Sequence, residues 1–441
     1  MSYKKDTSKF TTFVIVLAAM IAWMHDGYSL ILISTLTTNL KTFFNVTDSP
    51  IALVISLQFI ATVPGAILFG EIGDRYGRKK ALIISIAWDA VFSALTALVP
   101  ANMFFLFAIL RMISGLGVSW GISFSLISEH FSPKRRGAAG GLVQSTFIFG
   151  YVAALIVTMI LGPLGWQWCF LTALFPIPLL FLFWFALPES AVWSEYDKTM
   201  KKTGKKQKLR IKEIFNEKWI KLTISLIILF YLAETAYHAL VDLAPLFFQY
   251  VFTFLGASNP KNSALLYMLI LMLAGAGALF SFGLLSDYIG RKKAFALDNI
   301  IGVIGGVMFA ISLLFVFNTT MIMVSAFFIT FGFGLHGIFG VWSSELYDTE
   351  LRASANSIIF SVARGLGFGG FFVGLISDSL NPFVTLTERL AHPLVSLQAL
   401  GTGMILSLVA FVGVLIMVNF VPEPLDKKIT ALSKSSSLLK S

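Results

Sequence analysis

Residues 70–80 read GEIGDRYGRKK, and residues 283–293 repeat the pattern as GLLSDYIGRKK. A second motif, a Ser-Glu pair that is soon followed by an arginine, occurs at Glu129 and again at Glu345. The number of residues between the two copies is nearly the same for both motifs. Two motifs with nearly one offset predict that the chain is a duplication with two similar halves.

The composition of the chain excludes a soluble globular protein. Of its 441 residues, 57% are apolar and 13% are charged, and the mean hydropathy is +0.83. Soluble domains are typically about 25% charged. Cys169 is the only cysteine, so no disulfide can form within the chain. These figures also exclude a disordered chain and a disulfide scaffold, and they favour a membrane protein.

Twelve apolar stretches are long enough to cross a membrane as helices, which takes roughly 20 residues each. A β-barrel would instead show alternating segments of about ten residues, and the unbroken apolar runs argue against it. The predicted fold is therefore an all-α membrane protein with twelve transmembrane helices in two pseudo-symmetric six-helix bundles. The predicted spans are residues 11–38, 50–72, 80–99, 102–128, 137–162, 165–187, 218–254, 262–286, 292–316, 318–344, 353–380 and 397–421.

The basic residues indicate which loops face the cytoplasm. Of the 33 Lys and Arg residues, 28 fall at the termini and in every second loop, whereas Lys41, Lys261 and Arg389 occupy the other loops. The positive-inside rule then places both termini and the loop after span six in the cytoplasm. The net charge of +10 follows from this topology, so no nucleic-acid partner is predicted. The expected units are bundles at 1–190 and 218–425, a linker at 191–217 and a tail at 426–441.

The chain resembles the major facilitator superfamily over essentially its whole length. The resemblance rests on the repeated loop motif, on the GWQW and PES segments at residues 165–168 and 188–190, and on Arg111 with the glycines that follow it. The features around spans four and six are similar to the sugar-porter, metabolite–proton and sialate–proton branches. The resemblance implies secondary transport by alternating access, with a substrate site near the membrane midplane between the halves.

The resemblance also implies a charged latch that holds the cytoplasmic gate in one state and releases it in the other. Solvated loop charges without such a role are the alternative. The predicted latch residues are Asp74, Arg78, Glu129 and Arg136 in the first half, and Asp287, Arg291, Glu345 and Arg352 in the second.

Ionisable residues inside spans are costly to bury and are therefore functional candidates. Glu234, His238 and Asp242 are spaced i, i+4 and i+8, which places them on one face of span seven over about 12 Å. Such a column can hold and pass protons, because His titrates near neutral pH. Asp26 and His25 are further proton candidates, and the offset between the two loop motifs places His25 opposite His238 across a central cavity. For Asp242 alone, a solvated position at the outer mouth is the competing expectation.

Arginines inside spans stay charged and must face a partner or water. A guanidinium that faces a cavity can bind a carboxylate through two hydrogen bonds. Arg364 in span eleven is the first candidate for anion recognition and Arg111 in span four the second; the alternative for each is a structural role inside the bundle. Further predicted substrate contacts are Gln144, Tyr28 next to Gly27, Trp120 and His336, the last two related by the offset of the Ser-Glu motif.

The predicted function is proton-coupled symport of a small organic anion. The alternatives are a uniporter, a sugar– or phosphate–proton symporter, an exporter of organic cations or drugs, and a membrane sensor without transport. The chain lacks a phosphate-binding GxxxxGK[ST] loop and a zinc-spaced Cys/His cluster, so no enzyme activity, cofactor or metal is predicted. We expect a monomer in the cell membrane whose partners are its substrate, protons and lipids; the basic segment 198–212 either contacts anionic headgroups or is a solvated linker.

Overall fold

The computed structural model describes residues 9–123, 126, 133–190, 193–194, 198, 211–347 and 351–424. Within its helices, the description leaves aside the side chains of residues 9, 74, 133–141, 211–212, 344, 352–354 and 357. The predicted linker therefore lies largely outside the described residues, and the predicted tail lies wholly outside them.

Twelve helical segments are long and apolar enough to cross a membrane, and the described ranges contain no β-strand. The predicted all-α fold with twelve spans is confirmed. We number the spans α1 to α12 in chain order. They are Phe10–Thr35, Asp48–Gly73, Arg78–Leu98, Phe104–Ser123, Leu142–Leu164, Trp166–Ala186, Ile220–Phe254, Pro260–Ile289, Arg291–Leu314, Thr319–Ser343, Ile358–Leu380 and Pro393–Phe420.

The two halves, α1–α6 and α7–α12, meet along two pairs of helices. α2 packs along α11, and α5 packs along α8. The duplication relates α2 to α8 and α5 to α11, so it converts one pair into the other. We call the end with Arg78 and Arg291 the basic end. The opposite end carries two short helices outside the spans, Thr37–Phe44 and Leu386–Ala391.

Spans α4 and α10 are interrupted at equivalent places, although the apolar runs predict continuous helices. α4 leaves α-helical geometry after Gly115, and α10 resumes at Leu335 after a short break. Each break frees backbone N–H groups, which must find acceptors inside a membrane. The amide of Ser119 donates to Oδ2 of Asp26 at 2.9 Å, and the amide of Leu335 donates to Oδ2 of Asp298 at 2.7 Å. The two donors are related by the same offset as the two Ser-Glu motifs, so the breaks belong to the duplication.

Spans α7 and α11 are interrupted where they pack together. The first helix of α7 ends at Val241 and the next begins at Ala244. α11 stops at Gly365 and resumes at Gly369. A Cβ atom at Gly369 would overlap the backbone of α7 at residues 235–239. The glycine therefore allows the second helix of α11 to lie directly against α7.

A buried ionic network joins the two halves at the opposite end. Asp48, at the start of α2, forms a salt bridge with Lys41 and accepts from Nη1 of Arg389 at 2.5 Å. Nη2 of Arg389 donates to Oδ1 of Asp378 at 2.8 Å. Asp378 also accepts from the backbone amides of Asp48 and Ser49. Because Lys41 and Asp48 belong to the first half and Asp378 and Arg389 to the second, the network closes this end of the molecule.

The network buries Lys41 and Arg389, two of the three cations that were predicted to lie in loops of this end. Both side chains are at most 1% exposed. Burial disfavours the charged form of Arg389, but the carboxylates of Asp48 and Asp378 outweigh this effect and hold its pKa above the usual value. Asp48 and Arg389 are 341 positions apart in the chain, so no local pattern predicts their contact.

The variant Asp48→Asn tests this network. It leaves Lys41 and Arg389 buried without their shared carboxylate, and breaking a buried pair costs about 3–5 kcal/mol. We expect a clearly lower midpoint of thermal unfolding for the purified protein in detergent. The control is Glu71→Gln, which removes the exposed Glu71–Arg75 pair, worth about 1 kcal/mol or less. Equal midpoints for the two variants would contradict a stabilising role of the network.

Candidate functional site

A cavity of about 60 Å³ lies between the two halves, near the middle of the spans. The first half contributes α1 and α5 to its walls, and the second contributes α7, α8, α10 and α11. The walls are mostly aromatic and aliphatic, with few polar groups. The lining residues are Trp23, Gln144, Phe147, Ile148, Glu234, Tyr237, Met272, Gly275, Leu279, Thr330, Phe333, His336, Phe360 and Arg364.

Arg364 is the one arginine among the described residues that line this cavity, and this lining contains no lysine. It lies at the end of the first helix of α11 and is 5% exposed. Its guanidinium carbon lies over the rings of Trp23, Phe59, Phe147 and Phe360, at 4.6 to 5.6 Å from their centres. No side chain or backbone group of the described ranges forms a hydrogen bond or salt bridge with the guanidinium. The ring faces stabilise the cation and leave its N–H groups available to a ligand.

A column of acids and histidines continues from the cavity along α7. Oε1 of Glu234 lies 3.5 Å from Nε2 of His336, and Oε2 lies 3.6 Å from Nε2 of His238. Nδ1 of His238 lies 2.9 Å from Oδ1 of Asp242. The structure thus brings together the three residues that the i, i+4 spacing places on one face, and α10 adds His336. Asp242 is fully buried, so the expectation of a solvated side chain is wrong.

Aromatic side chains join the halves one helical turn from Arg364, on its basic-end side. Trp120 of α4 stacks on Phe360 of α11 with 4.2 Å between ring centres. The indole N–H of Trp120 also donates to Oε1 of Gln144 at 3.2 Å. Gln144 and His336 line the cavity, whereas Trp120 stands behind its wall. Three of the predicted substrate contacts therefore lie in or next to this site.

A second group of buried charges lies inside the first half, away from the cavity. Nδ1 of His25 is 3.2 Å from Oδ2 of Asp89, and Nε2 of His25 is 2.9 Å from the carbonyl oxygen of Ala173. Oδ2 of Asp26 accepts from Ser119, whereas Oδ1 has no hydrogen-bond partner among the described residues. One ligand atom from each of His25, Asp26 and Asp89 lies within 4.8 Å of the others. The cluster has the ligands to hold a proton or a metal cation.

Arg111 belongs to this first-half cluster and is not among the residues that line the cavity. Its Nη1 donates to Oγ of Ser93 at 2.8 Å, and its Nη2 donates to the carbonyl oxygen of Ser29 at 2.6 Å. The hydroxyl groups of Ser29 and Ser93 donate in turn to Oδ1 of Asp89, at 2.8 and 3.1 Å. Arg111 is therefore linked to a buried carboxylate through two hydroxyl groups, which favours the structural alternative stated above.

Two predicted placements differ from the structure. His25 does not face His238 across the cavity; it points into the first half against Asp89 and Phe175. Tyr28 donates its hydroxyl proton to the carbonyl oxygen of Cys169, away from the cavity. An equal sequence offset predicts similar depth in two spans, but it does not fix the rotation of each helix about its axis.

Three of the four predicted second-half latch residues, Asp287, Arg291 and Glu345, form one cluster at the basic end. Nη1 of Arg291 lies 2.6 Å from Oδ1 of Asp287, and Nη2 lies 3.1 Å from Oε1 of Glu345. The cluster ties α8 to α10 within the second half. Arg78 begins α3, but the side chains of Asp74, Glu129, Arg136 and Arg352 lie outside the described residues, so the first-half cluster is a prediction only.

Both copies of the loop motif are bonded to a glutamate that the motif does not contain. Gly77 and Gly290 have φ of +106° and +95°, which favours glycine, and a new helix follows each. Glu189 accepts from the amide of Lys79 at 3.2 Å, and Glu423 accepts from the amide of Lys292 at 2.8 Å. These carboxylates satisfy donors at helix N-termini. Glu423 was not predicted, because it follows the last span and is remote in the chain from the motif that it contacts.

Sequence reasoning missed part of the cavity wall and one member of the buried clusters. The aromatic wall residues carry no distinguishing signal in a chain with 43 phenylalanines. Asp89 did carry one, since it is an ionisable residue inside a span. The missed residues are Trp23, Phe147, Tyr237, Phe333, Phe360 and Asp89.

Comparison with known proteins adds family and fold. The family model described as Major Facilitator Superfamily matches residues 11–371. A putative metabolite transport protein of Haemophilus influenzae is 27% identical and aligns over 82% of this chain and 88% of its own length. The putative niacin/nicotinamide transporter NiaP of Bacillus subtilis is also 27% identical, and it aligns over 82% of this chain and 87% of its own length. The crystal structure of a D-xylose–proton symporter superposes on this chain with a TM-score of 0.73 at 20% sequence identity. The match covers 94% of this chain and 99% of the symporter, which shows a shared fold.

The variants Arg111→Gln and Arg364→Gln distinguish a structural arginine from a ligand-binding one. Loss of Arg111 leaves the Asp89 cluster without its cation and is expected to cost about 3–5 kcal/mol of stability. Arg364→Gln is expected to leave the midpoint of thermal unfolding nearly unchanged, because no described residue bonds to the guanidinium. Both midpoints are measured on purified protein in detergent. A large decrease in the unfolding midpoint of Arg364→Gln would indicate a structural role for Arg364.

Proposed function

The chain belongs to the major facilitator superfamily, and from this premise we propose that it is a proton-coupled symporter of a small organic anion. It is a multi-pass integral protein of the plasma membrane and a transporter, not an enzyme. In the proposed cycle, the anion and protons enter the cavity together from the opposite end. The halves then rock about the α2–α11 and α5–α8 contacts and release both at the basic end.

One observation carries the proposal. The guanidinium of Arg364 faces a cavity between the halves, and none of the described residues forms a salt bridge with it. A buried cation without a bonded anion is costly. A substrate carboxylate would supply the missing partner through two charge-assisted hydrogen bonds. The name of the niacin/nicotinamide relative describes a small organic solute, which agrees with a cavity of this size.

The charges around the cavity supply a reason for proton coupling. Glu234 and Asp242 contribute two negative charges, and Arg364 contributes one positive charge. A bound anion adds a third negative charge in surroundings where net charge is costly. Protons on Glu234, His238 or His336 offset that charge, so anion binding and proton binding favour each other. The loaded, protonated carrier is then the form that changes conformation most readily.

The first-half cluster is proposed as a second proton site. Asp26 and Asp89 contribute two negative charges against the one positive charge of Arg111. A proton on His25 balances the cluster. Because this cluster does not touch the cavity, it would respond to movement of α1 and α4 and not to the substrate directly.

The charged clusters at the two ends of the molecule are proposed as its gates. The network of Lys41, Asp48, Asp378 and Arg389 holds the opposite end closed, and it must separate when that end opens. At the basic end, the cluster of Asp287, Arg291 and Glu345 and its first-half counterpart are proposed to stabilise the closed form of that gate. By the predicted topology, the basic end faces the cytoplasm and transport is import.

Uptake into proteoliposomes tests the function. The labelled probes are benzoate, lactate, glucuronate, xylose, phosphate and tetraphenylphosphonium, each with and without an inside-alkaline pH gradient. We expect uptake of at least one carboxylate, accelerated by the gradient. The variant Arg364→Gln is expected to lower the apparent affinity for that probe roughly 10- to 100-fold, since a charge-assisted hydrogen-bonded pair is lost. Unchanged affinity would remove Arg364 from the proposed anion site.

Glu234→Gln tests the coupling. A neutral amide cannot take up and release a proton, so the pH gradient should no longer drive accumulation. Counterflow, in which labelled and unlabelled anion exchange without net proton movement, should continue at a measurable rate. Glu71→Gln, an exposed carboxylate on α2, is the control and should behave like the parent protein. Gradient-driven accumulation by Glu234→Gln at the parent rate would contradict the assignment.

The same panel separates the alternatives. Uptake of xylose or phosphate alone would identify a sugar– or phosphate–proton symporter, and gradient-driven efflux of tetraphenylphosphonium would identify a cation exporter. Anion uptake that ignores the gradient would identify a uniporter. A sensor without transport would give no flux with any probe.

A further inference from the structure

We infer that the cavity is built for a flat, conjugated monocarboxylate of benzoate size, and that it discriminates against polyhydroxylated acids. The inference rests on the proposed function, because it names the substrate class of the same anion site. Three features carry it: the aromatic rings around the guanidinium, the size of the cavity and the scarcity of polar partners.

Four aromatic rings surround the guanidinium of Arg364. Its guanidinium carbon is 4.6 Å from the ring centre of Phe147 and 4.8 Å from that of Phe59, with Trp23 and Phe360 at 5.4 and 5.6 Å. The N–H groups of a guanidinium lie at the edge of its plane, so a ligand forms its hydrogen bonds there. A carboxylate bound at that edge lies close to the guanidinium plane.

The substituent of such a carboxylate would contact the packed aromatic side chains of the cavity wall. Phe147 and Trp23 of the first half have ring centres 5.1 Å apart, and Phe360 of the second half is 6.4 Å from Trp23. Phe333 and Tyr237 continue the wall, with ring centres 5.1 Å apart. A flat ring that is conjugated with the carboxylate can offer its faces to these side chains, as aromatic pairs prefer. A puckered ring fills the same space with poorer contacts.

The size of the cavity limits the ligand to a small molecule. Its volume of about 60 Å³ corresponds to roughly four to six water molecules at about 10–15 Å³ of such space for each. A single six-membered ring with a carboxylate is of this order. A sugar acid with a side chain is larger and does not fit without movement of the walls.

Few polar groups of the cavity are available to substrate hydroxyl groups. Oε1 of Gln144 already accepts from Trp120, and the hydroxyl group of Thr330 already donates to the carbonyl oxygen of Ala326. Glu234 and His336 face each other at 3.5 Å. Among the described residues that line the cavity, the Nε2 atom of Gln144 and the hydroxyl group of Tyr237 are the neutral donors without an acceptor. A polyhydroxylated acid would bury several hydroxyl groups without partners, which disfavours its binding.

The experiment measures competition on the purified full-length protein in proteoliposomes. Unlabelled benzoate, cyclohexanecarboxylate, benzamide and glucuronate compete with whichever labelled carboxylate the uptake panel identifies. We expect benzoate to compete at least ~10-fold better than each of the others. Cyclohexanecarboxylate tests flatness, benzamide tests charge, and glucuronate tests the lack of hydroxyl partners.

The variant Phe360→Leu keeps an apolar side chain but removes an aromatic ring from the cavity wall. We expect the preference for benzoate over cyclohexanecarboxylate to fall ~3-fold or more. The matched control is Phe185→Leu, on the exposed surface of α6, which should keep the parent preference. A change in preference separates a specificity role from a loss of folding, because misfolded protein lowers the signal of both competitors alike.

The outcomes distinguish this inference from the proposed function. Preferential competition by glucuronate, or by cyclohexanecarboxylate over benzoate, would overturn the flat-acid inference and leave anion symport intact. Uptake of xylose or tetraphenylphosphonium with no carboxylate uptake would overturn both. An unchanged preference in Phe360→Leu would also count against a role of the aromatic cavity wall in substrate selection.

Discussion

The pairing of buried charges is the constraint on which the rest of this structure depends. An ion inside a membrane protein costs several kcal/mol unless a partner or a polar cavity compensates it. In the first half, Arg111 and Asp89 are joined through serine hydroxyl groups. At the opposite end, Asp48 and Arg389 bond across the two halves. These pairs fix which helix faces turn inward and where the halves meet.

Breaks in the spans extend the same constraint to the backbone. A continuous helix bonds all of its own peptide groups, whereas a break exposes amides that need an acceptor. The amides of Ser119 and Leu335 donate to buried carboxylates of other spans, so each acid stabilises the break beside it. The duplication retains both breaks at one offset. A helix that is interrupted at mid-depth can bend there, and bending suits the proposed cycle, in which the halves rock.

Arg364 is the exception that gives the structure its proposed function. Aromatic faces surround it, and no described residue bonds to it, although Glu234 lines the same cavity. In the proposed function, a bound anion supplies that partner. The column of Glu234, His238 and Asp242 lies next to this cation, and its residues are the ones that we propose to couple anion binding to protons.

The sequence by itself determined the class, the twelve spans and the duplication, because apolar runs and repeated motifs are local in the chain. It also predicted the spacing of Glu234, His238 and Asp242, since one helix sets it. Only the tertiary structure decided which way His25 and Tyr28 point, how Lys41, Asp48, Asp378 and Arg389 assemble, and which aromatic rings surround Arg364. Those contacts join residues up to 341 positions apart, and helix rotation and packing, which no local pattern encodes, bring them together.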